Sequence, residues 1–127
     1  MDKTDKKTIL IVDDNADTRL VLSARLKTHQ YHTVFAADAI QAMSVALRER
    51  PDAILLDLGL PGGNGLMVLE RLKANTSLGA IPVIIVTADD PLVAKARAIE
   101  AGAVAFLQKP VDHDQLITTV QHAVGTT

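Results

Sequence analysis

Near its N-terminus the chain reads Ile9-Leu10-Ile11-Val12-Asp13-Asp14-Asn15, four consecutive apolar residues followed by two acids and an asparagine. An apolar run without alternation is typical of a parallel β-strand that helices cover on both faces. Two further unbroken runs follow, Ile54-Leu55-Leu56 and Val83-Ile84-Ile85-Val86. We therefore predict a parallel sheet in the interior of the protein.

Short apolar runs and segments of helical periodicity alternate along the chain. The predicted strands are Thr8–Val12, Thr33–Ala36, Ala53–Leu56, Pro82–Val86 and Val104–Leu107. The first predicted helix follows Asn15, and its apolar stripe consists of Leu20, Val21, Ala24 and Leu26. The later predicted helices cover about 38–49, 64–74, 91–101 and 112–123. The residues predicted as N-caps are Asp38, Asn64, Asp90 and Asp112. Gly102 is predicted as a left-handed C-cap.

Alternating βα units imply right-handed crossovers and a doubly wound sheet. The predicted fold class is therefore α/β, a flavodoxin-like (βα)5 three-layer sandwich with strand order 2-1-3-4-5. The 127 residues fit one domain, 1–127, with a core of about 8–124.

The composition excludes several classes of function. The net charge is −2 and no basic cluster exceeds Lys6-Lys7, so we expect no direct binding to nucleic acid or to an anionic membrane. The chain has no cysteine, which excludes disulfides and thiolate chemistry. The polar N-terminus has no apolar segment, and a cytoplasmic location is expected.

Polar residues follow four of the five predicted strands: Asp13 and Asp14, Asp57, Thr87, and Lys109. Ligands of open α/β sheets bind at the carboxyl ends of the strands, and the first and third strands are neighbours in the predicted order. Three carboxylates would then share a small space and repel one another, so cations are needed. Oxygen ligands favour Mg²⁺ or Mn²⁺, and an aspartate beside metal, lysine and hydroxyl suits phosphoryl transfer.

Four segments together resemble the receiver domain of two-component response regulators, of the single-domain, chemotaxis-regulator type. They are Ile11-Val12-Asp13-Asp14-Asn15, Leu55-Leu56-Asp57-Leu58-Gly59-Leu60-Pro61-Gly62, Val86-Thr87-Ala88 and Phe106-Leu107-Gln108-Lys109-Pro110. Their order and spacing match that family, and the resemblance covers about residues 8–124.

The resemblance implies a role for each site residue. Asp57 would accept a phosphoryl group from a phosphohistidine on a sensor histidine kinase or a histidine phosphotransfer protein. Asp14 would bind Mg²⁺ directly, Asp13 largely through water, and Gly59 through its backbone carbonyl. Lys109 would pair with the acyl phosphate. Further implied roles are the switch pair Thr87 and Phe106, the cis-proline Pro110, and the lifetime-tuning positions Gly59 and Asp89.

The expected protein is a signalling switch that catalyses its own phosphorylation and dephosphorylation, not a conventional enzyme. The face formed by the fourth helix, fifth strand and fifth helix would bind a downstream protein or output domain, as a monomer or a phosphorylation-dependent dimer. One alternative is a constitutive binding module that is never phosphorylated. A remote alternative is a haloacid-dehalogenase-like phosphatase, whose Asp-x-Asp motif the segment Asp57-Leu58-Gly59 lacks. The pathway, and whether the chain stands alone or belongs to a longer regulator, stay open.

Overall fold

The computed structural model describes residues 6–61 and 65–125, in which five strands alternate with five helices. The strands are β1 (Thr8–Val12), β2 (His32–Ala36), β3 (Ala53–Leu56), β4 (Val83–Thr87) and β5 (Ala105–Gln108). The helices are α1 (Ala16–Lys27), α2 (Ala39–Glu49), α3 (Gly65–Ala74), α4 (Pro91–Glu100) and α5 (His113–Val124). All strand pairs are parallel and their order is β2-β1-β3-β4-β5, which confirms the predicted fold.

The sheet is covered on both faces, as the unbroken apolar runs predict. Successive side chains of a strand point to opposite faces. Ile9 and Ile11 therefore belong to the core beneath α1 and α5, while Leu10 and Val12 belong to the core beneath α2, α3 and α4. All four are at most 1% exposed. The result is a three-layer sandwich with two aliphatic cores.

The helix boundaries follow the predicted capping chemistry. Asp38, Asp90 and Asp112 each accept a hydrogen bond from a backbone N–H in the first turn of the helix that follows. Gly102 has φ +113°, and the N–H groups of Gly102 and Ala103 donate to the carbonyls of Ile99 and Ala98, a Schellman ending for α4. The predicted N-cap Asn64 lies outside the described residues.

The predicted apolar stripe of α1 is wrong for three of its four residues. Leu20, Val21 and Ala24 are exposed, and the helix buries Leu22, Ser23 and Leu26 instead. Leu22 and Leu26, four residues apart, pack into the core beneath α1 and α5, and Ser23 lies beside them with its hydroxyl oxygen 2.7 Å from that of Thr33. With this face toward the sheet, Leu20 lies at the surface and is 62% exposed.

Helix α4 is attached more loosely than its neighbour α3. Ala98 is its one fully buried residue, whereas α3 buries Gly65, Val68, Leu69 and Leu72. Near its N-terminus, Leu92 is 94% and Val93 72% exposed. At its other end, the side-chain methylenes of Lys73 pack against Gly102, and the Lys73 ammonium donates to the Gly79 and Ile81 carbonyls. No helix in the described part of the chain is long and apolar enough to cross a bilayer.

Candidate functional site

The site residues are carried by backbone that continues the sheet just beyond the strand ends. The Asp13 N–H donates to the Ala36 carbonyl at 3.1 Å, and the Asp57 N–H donates to the Val12 carbonyl at 3.0 Å. On the other side of the sheet, the Lys109 N–H donates to the Thr87 carbonyl at 2.8 Å. These bonds fix the backbone at the edge where the sequence predicts a crevice.

Three carboxylates meet at this edge. Ligand oxygens of Asp13, Asp14 and Asp57 all lie within 4.8 Å of one another. Asp13 and Asp57 are buried, at 2% and 8% exposure, while Asp14 is exposed. At an effective dielectric near 20, two like charges about 4 Å apart repel by roughly 4 kcal/mol, so the cluster needs positive charge.

Lys109 supplies one positive charge and bridges the two buried acids. Its Nζ donates to Asp13 Oδ2 at 2.7 Å and to Asp57 Oδ2 at 3.0 Å. The peptide bond that follows, Lys109–Pro110, is cis. Asp57 Oδ1 in turn accepts the Gly59 N–H at 2.9 Å, so both carboxylate oxygens of Asp57 have a donor.

The surroundings of Asp57 keep it ionised. Burial raises the pKa of its carboxyl, but the Gly59 N–H, Lys109 and the Thr87 hydroxyl together outweigh burial, so the pKa lies below its ordinary value. For Lys109, burial lowers the pKa, yet the bonds to Asp13 and Asp57 outweigh it and the pKa is raised. At neutral pH the pair is therefore a carboxylate beside an ammonium, which is the form a nucleophilic aspartate requires.

The other predicted residues surround this pair at different depths. Thr87 ends β4 with 1% exposure, and its hydroxyl accepts the Asp89 N–H at 3.4 Å. Asp89 is exposed on the loop before α4. Phe106 is half-buried on β5 and packs against the core beneath α2, α3 and α4. The structure thus brings Asp13, Asp14, Asp57, Thr87 and Lys109 together. Asp89 bonds to Thr87 through its backbone, and Phe106 packs against the core.

Two contributors to the site were not predicted from the sequence. The Arg19 guanidinium donates to the Asp13 backbone carbonyl at 2.7 Å. Gly65 approaches the segment after β3 so closely that a Cβ there would lie inside contact distance of the Asp57 carbonyl oxygen and 2.6 Å from Leu58 Cα. Gly65 is the first residue of α3, and this close packing requires a glycine there.

A groove of about 420 Å³ opens beside Lys109. It runs between α1 and the segment that links β5 to α5, and its walls are mostly apolar, with polar groups from α1. Its lining residues are Asp17, Thr18, Val21, Leu22, Arg25, Val86, Lys109, Pro110 and Val111. The Arg25 guanidinium spans the groove and donates to the Val111 carbonyl at 2.8 Å.

The geometry and the sequence agree with one protein family. Residues 9–121 match the family model described as the response regulator receiver domain. The chain belongs to that family. It is 37% identical over 112 residues to Protein PilH of Pseudomonas aeruginosa, covering 88% of this chain and 93% of PilH. It is 40% identical over 114 residues to Response regulator PleD of Caulobacter vibrioides, covering 89% of this chain but 25% of PleD.

A solved structure supports the same assignment. The receiver domain of the sensor histidine kinase PA1611 from Pseudomonas aeruginosa, which has a magnesium ion coordinated in its active-site cleft, superposes with a TM-score of 0.86. The two sequences are 31% identical, and the match covers 95% of this chain and 99% of that domain. The chain is thus a response-regulator receiver domain of two-component systems, a class of signalling switch.

Proposed function

We propose that this receiver domain is switched by phosphorylation of Asp57 in the presence of a divalent metal. The observation that carries the proposal is the bridge from the Lys109 ammonium to Asp13 and Asp57. This bridge keeps the buried carboxylate of Asp57 ionised. A strand-end carboxylate of this kind is equipped to act as a nucleophile and not merely as a helix cap.

The covalent step balances with a phosphohistidine donor. An oxygen of the Asp57 carboxylate forms the new O–P bond while the N–P bond of the donor breaks. The donor histidine keeps the electron pair and takes up a proton. Lys109 offsets the negative charge on the transferring group, and the Thr87 hydroxyl is placed to donate to a phosphate oxygen.

The acidic cluster fits a hard divalent cation. Asp13, Asp14 and Asp57 provide oxygen ligands, and their combined charge exceeds what one lysine offsets. We assign Mg²⁺ or Mn²⁺ to them, with the backbone carbonyl of Gly59 as a further ligand. Such an ion, when bound, supplies positive charge to the phosphoryl oxygens.

The donor and the downstream partner are assigned to different surfaces. The apolar groove suits a helical face of a sensor histidine kinase or a histidine phosphotransfer protein, because Lys109, which bonds to Asp57, lines it. The face of α4, β5 and α5 is proposed to bind the downstream protein or output domain, or a second copy after phosphorylation. Thr87 and Phe106 would report the change to that face.

The lifetime of the phosphoryl group is proposed to depend on Gly59 and Asp89. A Cβ at Gly59 would lie 3.5 Å from Asp57 Oδ1, so the native glycine leaves space at the acceptor. Asp89 is exposed and its N–H bonds to Thr87, and we assign its carboxylate the role of orienting an attacking water. If Gly59→Arg and Asp89→Ala dephosphorylate at the wild-type rate, this assignment is wrong.

Incubation with acetyl phosphate and Mg²⁺, followed by intact-mass measurement, tests the main proposal. We expect the wild-type chain to gain one phosphoryl group and Asp57→Asn to gain none. Asp52→Asn is the matched control, because Asp52 lies at the opposite end of the sheet, where it accepts the Thr8 N–H. No gain in the wild type, or an equal gain in Asp57→Asn, would favour the constitutive binding module instead.

A further inference from the structure

Arg19 directs its guanidinium to a peptide group and not to a carboxylate. Its Nη1 lies 2.7 Å from the backbone carbonyl oxygen of Asp13. Arg19 is half-buried on the first turns of α1, and it forms no ion pair with any residue in the described ranges. A guanidinium bonded to the backbone beside two consecutive acids would be expected to pair with one of their carboxylates, so its bond to the carbonyl calls for a separate explanation.

The two neighbouring acids are supported very differently. The carboxylate of Asp13 accepts the Asn15 N–H at 2.9 Å and the Lys109 ammonium at 2.7 Å. The exposed carboxylate of Asp14 accepts no hydrogen bond from the residues that the structure describes. The direction of Asp14 must therefore come from its backbone.

The orientation of the Asp13 carbonyl sets the orientation of the Asp14 backbone. The carbonyl of one residue and the N–H and Cα of the next lie in one plane. A donor that fixes the Asp13 carbonyl thereby fixes the plane to which Asp14 is attached. We infer that Arg19 is a positioning residue, which holds Asp14 toward Asp13 and Asp57 for a divalent cation. The inference rests on the metal site of the proposed function.

The sign of the effect separates positioning from simple charge. Removing a positive charge next to a cation site relieves repulsion and strengthens cation binding. Removing a group that orients a metal ligand weakens binding, by about 10–100-fold in metal sites where this has been measured. Positioning by Arg19 thus predicts weaker metal binding on its removal, and electrostatics alone predicts the opposite.

The experiment measures Mn²⁺ binding by the full chain from the electron paramagnetic resonance signal of the free ion. We expect Arg19→Gln and Arg19→Ala to raise the dissociation constant about tenfold. The matched control is Lys27→Gln, because Lys27 lies on the same helix, is exposed and carries the same charge as Arg19. The control should stay within about twofold of the wild type. Arg19→Gln keeps a long polar side chain and carries the test if the alanine variant does not fold.

Unfolding in EDTA provides the second measurement. Loss of a structural hydrogen bond lowers the stability of metal-free protein, which this measurement records separately from Mn²⁺ affinity. An unchanged or lower dissociation constant in the folded Arg19 variants, with normal binding by the wild type, overturns the inference and leaves the proposed function intact. A wild-type chain that binds no Mn²⁺ rejects the metal site itself and the inference with it.

Discussion

Replacing Lys109 with methionine should destabilise the metal-free protein by about 3 kcal/mol at neutral pH. The change removes two charge-assisted hydrogen bonds, to Asp13 and Asp57, each worth about 1.5–3 kcal/mol. It also leaves two buried carboxylates facing each other, and removing one partner of a buried pair costs about 3–5 kcal/mol. The lysine side chain is 24% exposed, so solvent screening and the packing of methionine favour the low end.

Urea and thermal unfolding, followed by circular dichroism in EDTA, measure this loss. For a chain of this size it corresponds to a fall in Tm of about 8–12 °C. Lys95→Met is the matched control, because Lys95 is exposed on α4 and has no ion pair among the described residues. The control should change stability by less than about 0.5 kcal/mol.

Magnesium should reverse much of the effect. A divalent ion at the acidic cluster replaces the missing ammonium, so Mg²⁺ should raise the stability of Lys109→Met more than that of the wild type. If Lys109→Met unfolds within about 0.5 kcal/mol of the wild type in EDTA, the ammonium does not stabilise the acids and our account of the site is refuted.

Three further predictions concern stability. Gly65→Ala should cost about 2 kcal/mol or more, because its Cβ would overlap the backbone after Asp57; unfolding like the wild type in urea would contradict this. Ser23→Ala should cost about 1–2 kcal/mol by leaving the Thr33 hydroxyl buried without a partner, and adding Thr33→Val should recover most of the loss; simple addition of the two costs would disprove the pairing. The pKa of Asp57 is lowered in the folded state, so its stabilising effect is present above pH 3.8 and disappears as the pH falls through the folded value. The pKa of Lys109 is raised in the folded state, so its stabilising effect is present below pH 10.5 and disappears as the pH rises through the folded value. Urea unfolding at a series of pH values should show both losses of stability in the wild type. An acid-side loss that is unchanged in Lys109→Met would contradict this prediction.

The sheet and the acidic edge could be predicted because their signals are local. Each buried strand is a continuous apolar run, and a polar residue directly behind it must emerge at the carboxyl end of the sheet. Asp13 and Asp57 are brought together by strand order alone. For this reason the cluster of acids and its lysine were expected from the sequence.

The face of α1 could not be read in the same way. Apolar residues occur all around α1, so periodicity assigned Leu20 to the core, whereas the buried face carries Leu22, Leu26 and the polar contact of Ser23. The bond from Arg19 likewise depends on where the Asp13 carbonyl points, and the need for Gly65 depends on how closely α3 approaches the backbone after Asp57. These features depend on distances between elements that are far apart in the sequence. The type of any single residue does not reveal such a distance.

The small number of buried residues in α4 has a consequence for how a signal would leave the site. A helix that buries only Ala98 loses little apolar contact when it swings, so its opening free energy should lie far below that of α3. The C-terminal end of α4 is held where the Lys73 methylenes pack against Gly102. The N-terminal end, nearer Thr87, is therefore the end that can move more. Slow hydrogen exchange in α3 and fast exchange in the first turns of α4 would be the mark of this arrangement. A small movement at the site would then be enlarged at Leu92 and Val93.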